Sequence, residues 1–170
     1  VQWYALFVEA NQEENLQKFI RIVYSDDCIR TLVPKRRLIE RRQGKNYERI
    51  LKVFPGYVLV NTDMDNLAVY YRLKESPRVL SVLKTDSFPT PISEDEMDII
   101  LALTRYGEII DFSELYKEGE KIRVKKGPLE GLEGIILKYD NRKKRVKVVI
   151  KILNHEKKVD LGAHMITREF

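Results

Sequence analysis

Eight lysines and arginines between positions 125 and 147 are the residues of this sequence best suited to engage another molecule. Lys125 and Lys126 stand just before a Gly-Pro-Leu turn, and Lys138, Arg142, Lys143, Lys144, Arg145 and Lys147 crowd around the next turn. Cations at this density suit a phosphodiester backbone. Each neutralised phosphate releases a counterion, so about five contacts would give a log–log salt slope on the order of −4. Arg142 and Arg145 add planar, bidentate and stacking capacity that lysine lacks. Specificity for exposed bases therefore falls to the arginines, and positioning along the backbone to the lysines. The plainer alternative is a pair of loop tips kept soluble by charge. The charge distribution bears on the choice: residues 117–170 carry fifteen Lys/Arg against eight Asp/Glu, whereas the first 116 carry sixteen against eighteen. The basic excess of the whole chain, +5, thus comes from its last third and favours a polyanionic partner there.

Residue types that support catalysis are scattered. His155 and His164 stand apart in expected loops, without the Cys/His/Asp spacing of a zinc site. Cys28 follows Asp26-Asp27, which would discourage a thiolate, and reads as a small packed residue. The Asp26-Asp27 carboxylates are adjacent in sequence and nothing suggests a cleft around them. Gly127-Pro128 lacks the Gly-Lys-Ser/Thr ending of a phosphate-binding loop. The expectation is a protein that is not an enzyme and holds no metal and no cofactor. A single cysteine excludes an internal disulfide and fits a reducing compartment. No apolar run approaches the roughly 18 residues of a membrane span, and the N-terminal residues show no secretory pattern. A cytoplasmic protein without a membrane partner is expected.

The elements that must position the cations can be read from periodicity. Trp3–Val8 is an apolar run of strand length. Asn11 is placed to cap a helix in which Leu16, Phe19, Ile20 and Val23 recur at helical spacing. Thr31–Val33 reads as a short strand, residues 35–53 as two extended arms around Gln43-Gly44-Lys45, and Tyr57–Val60 as a buried strand after the Phe54-Pro55-Gly56 turn. A helix from Asp65 to Glu75 and a strand from Val79 to Leu83 follow. Ser93-Glu94-Asp95-Glu96 is a capping box, opening a helix that carries Met97, Ile100, Leu101 and Thr104. Beyond a short, partly packed connection at 108–116 the pattern is purely β. Lys125–Gly134, with three glycines and a proline, reads as a tight loop re-aiming one strand into the next. Val146, Val148, Ile150 and Ile152 then alternate with polar neighbours in a half-buried strand.

The order Gly127-Pro128-Leu129, then Gly131 and Gly134 before an aliphatic strand, resembles the KOW motif of transcription and ribosomal proteins. Together with Trp3-Tyr4, the Gln12-Glu13-Glu14 helix start and Phe54-Pro55-Gly56-Tyr57-Val58-Leu59-Val60, it makes the chain resemble the NusG family from Trp3 to about Met165. The resemblance implies an α+β N-terminal domain, an antiparallel sheet flanked by helices (NGN-like), followed by a small all-β, SH3-like KOW barrel. The expected division is 1–107 for the RNA polymerase-binding domain, 108–116 for a short linker and 117–170 for the KOW domain.

The resemblance implies that the first domain docks the clamp coiled coil of RNA polymerase through Phe7, Phe54, Tyr57 and Leu59. Spacing alone would make all four core residues. The family pattern assigns Phe54 and Tyr57 to the interface and leaves Phe7 and Leu59 open between the two. Lys18 and Arg21 on the first helix are candidates for contact with non-template DNA, or simply a solvated face. Arg36-Arg37 and Arg41-Arg42 flank a hairpin that is either a DNA-facing arm or a charged edge strand guarded against aggregation. Housekeeping members usually carry Phe-Gly-Arg-x-Thr-Pro-Val-Glu-Leu where this chain reads Leu153-Asn154-His155-Glu156-Lys157-Lys158-Val159-Asp160-Leu161. That departure puts recruitment of Rho or a ribosomal protein in doubt. With the basic run Arg142–Arg145, it makes the chain look most like the LoaP type of processive antitermination factor. Such a factor would act as a monomer that reads a structured nascent RNA hairpin through its KOW domain. The rival readings are a housekeeping member that recruits Rho or a ribosomal protein, and a ribosome-associated KOW protein, which would leave Trp3-Tyr4 and Phe54–Val60 unexplained.

Overall fold

The computed structural model describes residues 1–25, 28–85 and 87–167. The Asp26-Asp27 pair lies outside the described residues. In chain order the elements are β1 (Gln2–Val8), α1 (Glu13–Val23), β2 (Arg30–Leu32), β3 (Lys35–Arg42), β4 (Lys45–Lys52), β5 (Tyr57–Thr62), α2 (Leu67–Lys74), β6 (Val79–Val82), β7 (Lys84–Thr85) and β8 (Phe88–Pro89). They continue with α3 (Glu94–Leu103), β9 (Ile109–Ile110), β10 (Ser113–Glu118), β11 (Lys121–Lys126), a single 3-10 turn (Glu133–Ile135), β12 (Ile136–Asp140), β13 (Arg145–Ile152) and β14 (His155–Met165). Contacts gather these elements into two compact units. The first comprises Val1–Val33 and Phe54–Glu94, the second Pro34–Val53 and Asp95–Phe170.

The first unit is built on a four-stranded sheet in the order β2-β5-β1-β6, antiparallel throughout. Period-2 alternation sends Tyr4, Leu6 and Val8 of β1 and Val58 and Val60 of β5 into one core, which also holds Leu16 and Ile20 of α1 and Leu73 of α2. The helix start differs from expectation. Asn11 sits in the left-handed region (φ 63°), which asparagine tolerates because its short polar side chain bonds locally. The position before α1 is Gln12, which makes no side-chain cap bond. In α2 the cap is Asn66, whose Oδ1 accepts from the Ala68 amide at 3.1 Å. Only Leu73 of that helix is buried, and Leu67 and Tyr71 are exposed. Cys28, expected to be packed, is exposed.

The second unit holds a five-stranded sheet in the order β11-β10-β14-β13-β12 and a three-stranded sheet β4-β3-β9. The alternation anticipated in β13 is present: Val146, Val148 and Ile150 are buried. β14 is the central strand, antiparallel to β13 and parallel to β10. The stretch 108–116 is largely strand, with β9 pairing parallel to β3 and β10 antiparallel to β11. The 127–134 loop is pinned by close approach. Gly127 has φ 113°, and a Cβ there would stand 2.7 Å from the Ser113 Cα and from its Oγ. That hydroxyl accepts from the Leu129 amide at 3.0 Å, and Leu129 is fully buried.

The β3–β4 hairpin belongs to the second unit by contact, although it precedes β5 in the chain. Its arms pair in register from Lys35↔Lys52 to Arg42↔Lys45. The Arg36 guanidinium donates from Nη1 to the Asp160 carbonyl at 2.8 Å, and Arg145 donates from Nη2 to the Ile39 carbonyl at 3.2 Å. A Cβ at Gly162 would lie 2.6 Å from the Phe112 ring and 2.7 Å from the Arg37 carbonyl oxygen. Only a residue without a side chain lets β14 run this close to β3. The expected 1–107 division follows the order of the chain; contacts instead group residues 34–53 and α3 with the C-terminal strands.

Candidate nucleic-acid interface

The turn between β12 and β13 is organised by Asp140. Its Oδ1 accepts from the amides of Arg142 (3.0 Å) and Lys143 (3.1 Å), an Asx-type turn that presents the following basic side chains outward. The Lys143 amide, followed by that of Arg142 and the nearby cations, holds the Asp140 carboxyl below its ordinary value despite some opposing desolvation. Lys144 takes a positive φ of 54°, and its Nζ donates to Asn141 Oδ1 at 3.1 Å. Arg142 and Lys143 are exposed. Arg145 is mostly covered and lies 3.6 Å from the Asp160 carboxylate, with Lys147 at 3.8 Å from the other oxygen.

The expected cations are not all brought together. Lys138, Lys143, Arg145 and Lys147 line one small cavity of about 130 Å³ with Asp140 and Asp160. Arg142, Lys143, Lys144 and Arg145 line a larger cleft of about 850 Å³. Lys125 and Lys126 line neither. They end β11, where Lys126 pairs with Glu114 at 3.5 Å. Register places Lys126 beside Glu114, Glu114 beside His164, and the adjoining Gly162 beside Arg145. The two loops therefore sit at one end of the sheet but three strand spacings apart, about 14 Å measured along it. Sequence reading did not connect Arg36 and Lys157 to this surface. Burial lowers both from their ordinary values, and repulsion from Arg36 adds to the effect on Lys157, whereas Asp160 partly offsets it for Arg36. No local signal points to that cluster, because Arg36 and Lys157 lie on strands far apart in the chain.

The first unit carries a different surface. Phe7 is 38% exposed, and its ring lies 5.6 Å from that of Tyr57 at a 50° tilt. Phe54 and Leu59, in contrast, are 4% and 0% exposed, so neither can offer a side chain to a partner. The turn ahead of Tyr57 is held by Glu13, a buried carboxylate whose Oε1 accepts from the Gly56 amide at 3.0 Å. Val8 donates from its amide to the Gly56 carbonyl at 2.8 Å. Lys18 and Arg21 are both exposed on α1. Arg21 lines a polar depression of about 560 Å³ with Tyr24, Ser25, Arg30 and Thr31, and Arg30 lies 5.8 Å over the Trp3 ring. Among the described residues no group of three or more His, Cys, Asp and Glu is arranged to hold a metal, and His164 stacks on Phe112 at 4.7 Å. No helix among them is long and apolar enough to cross a membrane.

The Trp3-Tyr4 strand, the buried Glu13 and the Phe54-to-Val60 turn and strand all lie in the stretch that comparison with known proteins picks out. A family model described as transcription termination factor nusG matches residues 1–101. The chain belongs to the NusG family. The transcription termination/antitermination protein NusG of Escherichia coli K12 is 30% identical over 174 residues, covering 98% of this chain and 96% of that protein. The corresponding protein of Buchnera aphidicola is 28% identical over 175 residues, with the same coverage of each chain. Among solved structures, one describing domain interaction in Thermotoga maritima NusG superposes with a TM-score of 0.58 at 24% identity, over 95% of this chain and 93% of that one, and supports the fold. The NusG family is one of transcription factors rather than enzymes, and the mixed architecture of sheets and, among the described residues, three α-helices agrees with membership.

Proposed function

We propose that this NusG-family chain is a bacterial elongation and antitermination factor that rides on RNA polymerase and reads a nascent leader RNA hairpin. Its first unit would grip the clamp coiled coil through the exposed Phe7 and the half-buried Tyr57 beside it, with Phe54 and Leu59 supporting that surface from the core. Its C-terminal strands, as a KOW barrel, would hold the RNA hairpin through Arg142, Lys143, Lys144, Arg145 and Lys147, with Lys138, Lys125 and Lys126 extending the basic surface. Lys18 and Arg21, joined by Arg30, would meet non-template DNA. Binding one state of the polymerase better than another is enough to suppress pausing or termination, so no chemical step is required.

The observation that carries this reading is the β12–β13 turn. Asp140 fixes its backbone while Arg142 and Lys143 stay exposed, so the cations are presented on a preorganised support. The rival role, recruitment of Rho or a ribosomal protein, centres on the 153–161 segment. There the amides of Leu153 and Asn154 donate to the two carboxylate oxygens of Glu96 at 3.1 and 3.0 Å, so part of that segment is already engaged within the chain. Replacing Arg142, Lys143 and Lys144 together by Ala is expected to abolish selective binding of an RNA hairpin chosen by the wild-type chain from a pool of structured leader RNAs. Undiminished RNA affinity, or retention of Rho by the wild-type chain with no selected RNA, would overturn the reading in favour of the housekeeping role.

A further inference from the structure

Arg41 and Arg42 end β3 immediately before the Gln43-Gly44 turn, and both are exposed. They line the same cleft of about 850 Å³ as Arg142, Lys143, Lys144 and Arg145. The lining thus brings six cations from two segments about a hundred residues apart in sequence against one carboxylate, Glu40. That carboxylate is already compensated: Arg49 donates to both of its oxygens at 2.9 and 3.1 Å, and Arg42 lies 3.6 Å away.

The two walls are held in place by contacts below their tips. The Arg145–Ile39 hydrogen bond crosses from one wall to the other, and the Arg36–Asp160 bond ties β3 to β14 behind them. The absence of a side chain at Gly162 admits the Arg37 carbonyl, and Lys35 anchors the base of β3 to Glu108 at 3.2 Å. Fixing two like-charged loops across an open cleft raises the electrostatic energy of the free protein, and a polyanion entering the cleft lowers it. A charged edge hairpin serving only to avoid aggregation has no need to face a second basic loop.

We propose that the β3–β4 hairpin is a second RNA-binding element, and that this cleft grips the phosphate backbone from both sides. Arg41 and Arg42 hold one side, and Arg142 and Lys143 the other. The proposal rests on the RNA reading above and extends it to residues outside the C-terminal strands. It assigns the hairpin arginines to RNA rather than to upstream DNA.

The test uses the full chain and the RNA hairpin that the wild type selects, at low and high salt. R41A/R42A is expected to weaken binding about tenfold or more and to make the log–log salt slope shallower by about 1.5, the signature of two lost phosphate contacts. Its melting temperature should match the wild type, and R41K/R42K should recover most of the affinity. If R142A/K143A loses the RNA while R41A/R42A binds with unchanged affinity and slope, the RNA reading stands and the two-walled cleft falls. If both double variants bind like the wild type, both ideas fall. If R41A/R42A leaves RNA binding intact but lowers affinity for duplex DNA, the hairpin is a DNA arm and the proposal is overturned.

Discussion

Counted over the sequence, the first compact unit holds seven Lys/Arg against ten Asp/Glu, and the second holds twenty-four against sixteen. The exposed features differ in kind as well as in sign. The first unit brings an aromatic pair, Phe7 beside Tyr57, to its surface, while the second, which also exposes Tyr47, Ile50, Tyr106 and Leu137, gathers guanidinium and ammonium groups around two turns. An apolar, weakly acidic unit is suited to a protein groove, where desolvated aromatic anchors dominate affinity. A basic unit is suited to a polyanion, where counterion release dominates. The contrast fits the proposed division of labour, and it is sharper between contact units than between halves of the sequence. The β3–β4 arms alone add eight Lys/Arg against two Asp/Glu within residues 34–53.

The comparison is easiest to break at the aromatic surface. Leu59 and Tyr57 lie on one strand two residues apart, so they share a face, yet one is buried and the other partly open. Leu59→Ala is expected to cost about 2–5 kcal/mol of folding stability by creating a cavity, read by denaturant unfolding. Tyr57→Ala should leave stability near wild type and cost about 2 kcal/mol in polymerase affinity, with RNA binding unmoved. The reverse pattern, a stable Leu59→Ala that fails to bind polymerase, would put the interface on the buried side chain.

A smaller effect is expected in the second unit from Gly162→Ala. Its new Cβ must push against the Phe112 ring and the Arg37 carbonyl, an overpacking cost of about 1–3 kcal/mol. The change should show in the unfolding of the second unit and in its RNA affinity, leaving polymerase binding intact. Loss of both activities together would mean that the units do not act separately.

The least effect is a titration. Because the Asp140 carboxyl is held below its ordinary value by backbone donors, its bonds to the Arg142 and Lys143 amides are fully present above the unfolded carboxylate range. They are lost as pH falls through the lowered folded value. NMR shifts of those two amides should follow that titration in the wild type. They should not in Asp140→Asn, which keeps an acceptor oxygen but has no charge to lose. An identical response in both would show that Asp140 does not organise the turn.

The parts of the fold that could be read beforehand are those with one-sided burial. Val146, Val148 and Ile150 alternate because a single face of β13 is covered, and Leu16 and Ile20 recur because a single face of α1 is. The Gly127 loop was visible because its backbone needs a residue without a Cβ. The β3–β4 hairpin left no comparable trace of its destination. Leu38 is its only fully buried residue before the Val53 exit, and the bonds that place it run to Asp160 and Arg145, more than a hundred positions away. Its charge was also hidden by averaging with the acidic residues of α3 and the segment after it. The aromatic site was half legible. Phe54-Pro55-Gly56-Tyr57 marks the turn, but which of its side chains face out depends on packing that strand periodicity does not report.

β14 has both of its backbone edges occupied, by β13 on one side and β10 on the other, while β11 and β12 each keep a free edge in that sheet. Solvent therefore enters the sheet from its margins. Amide protons on the strands bearing Lys125, Lys126 and Lys138 are expected to exchange with water through shallow local openings, and those of β14, where Asp160 and Gly162 meet the hairpin, only through larger openings of the sheet. On the proposed RNA reading, differently shaped hairpins would be met by rearrangement of the marginal cations rather than of the arginine cleft's seat.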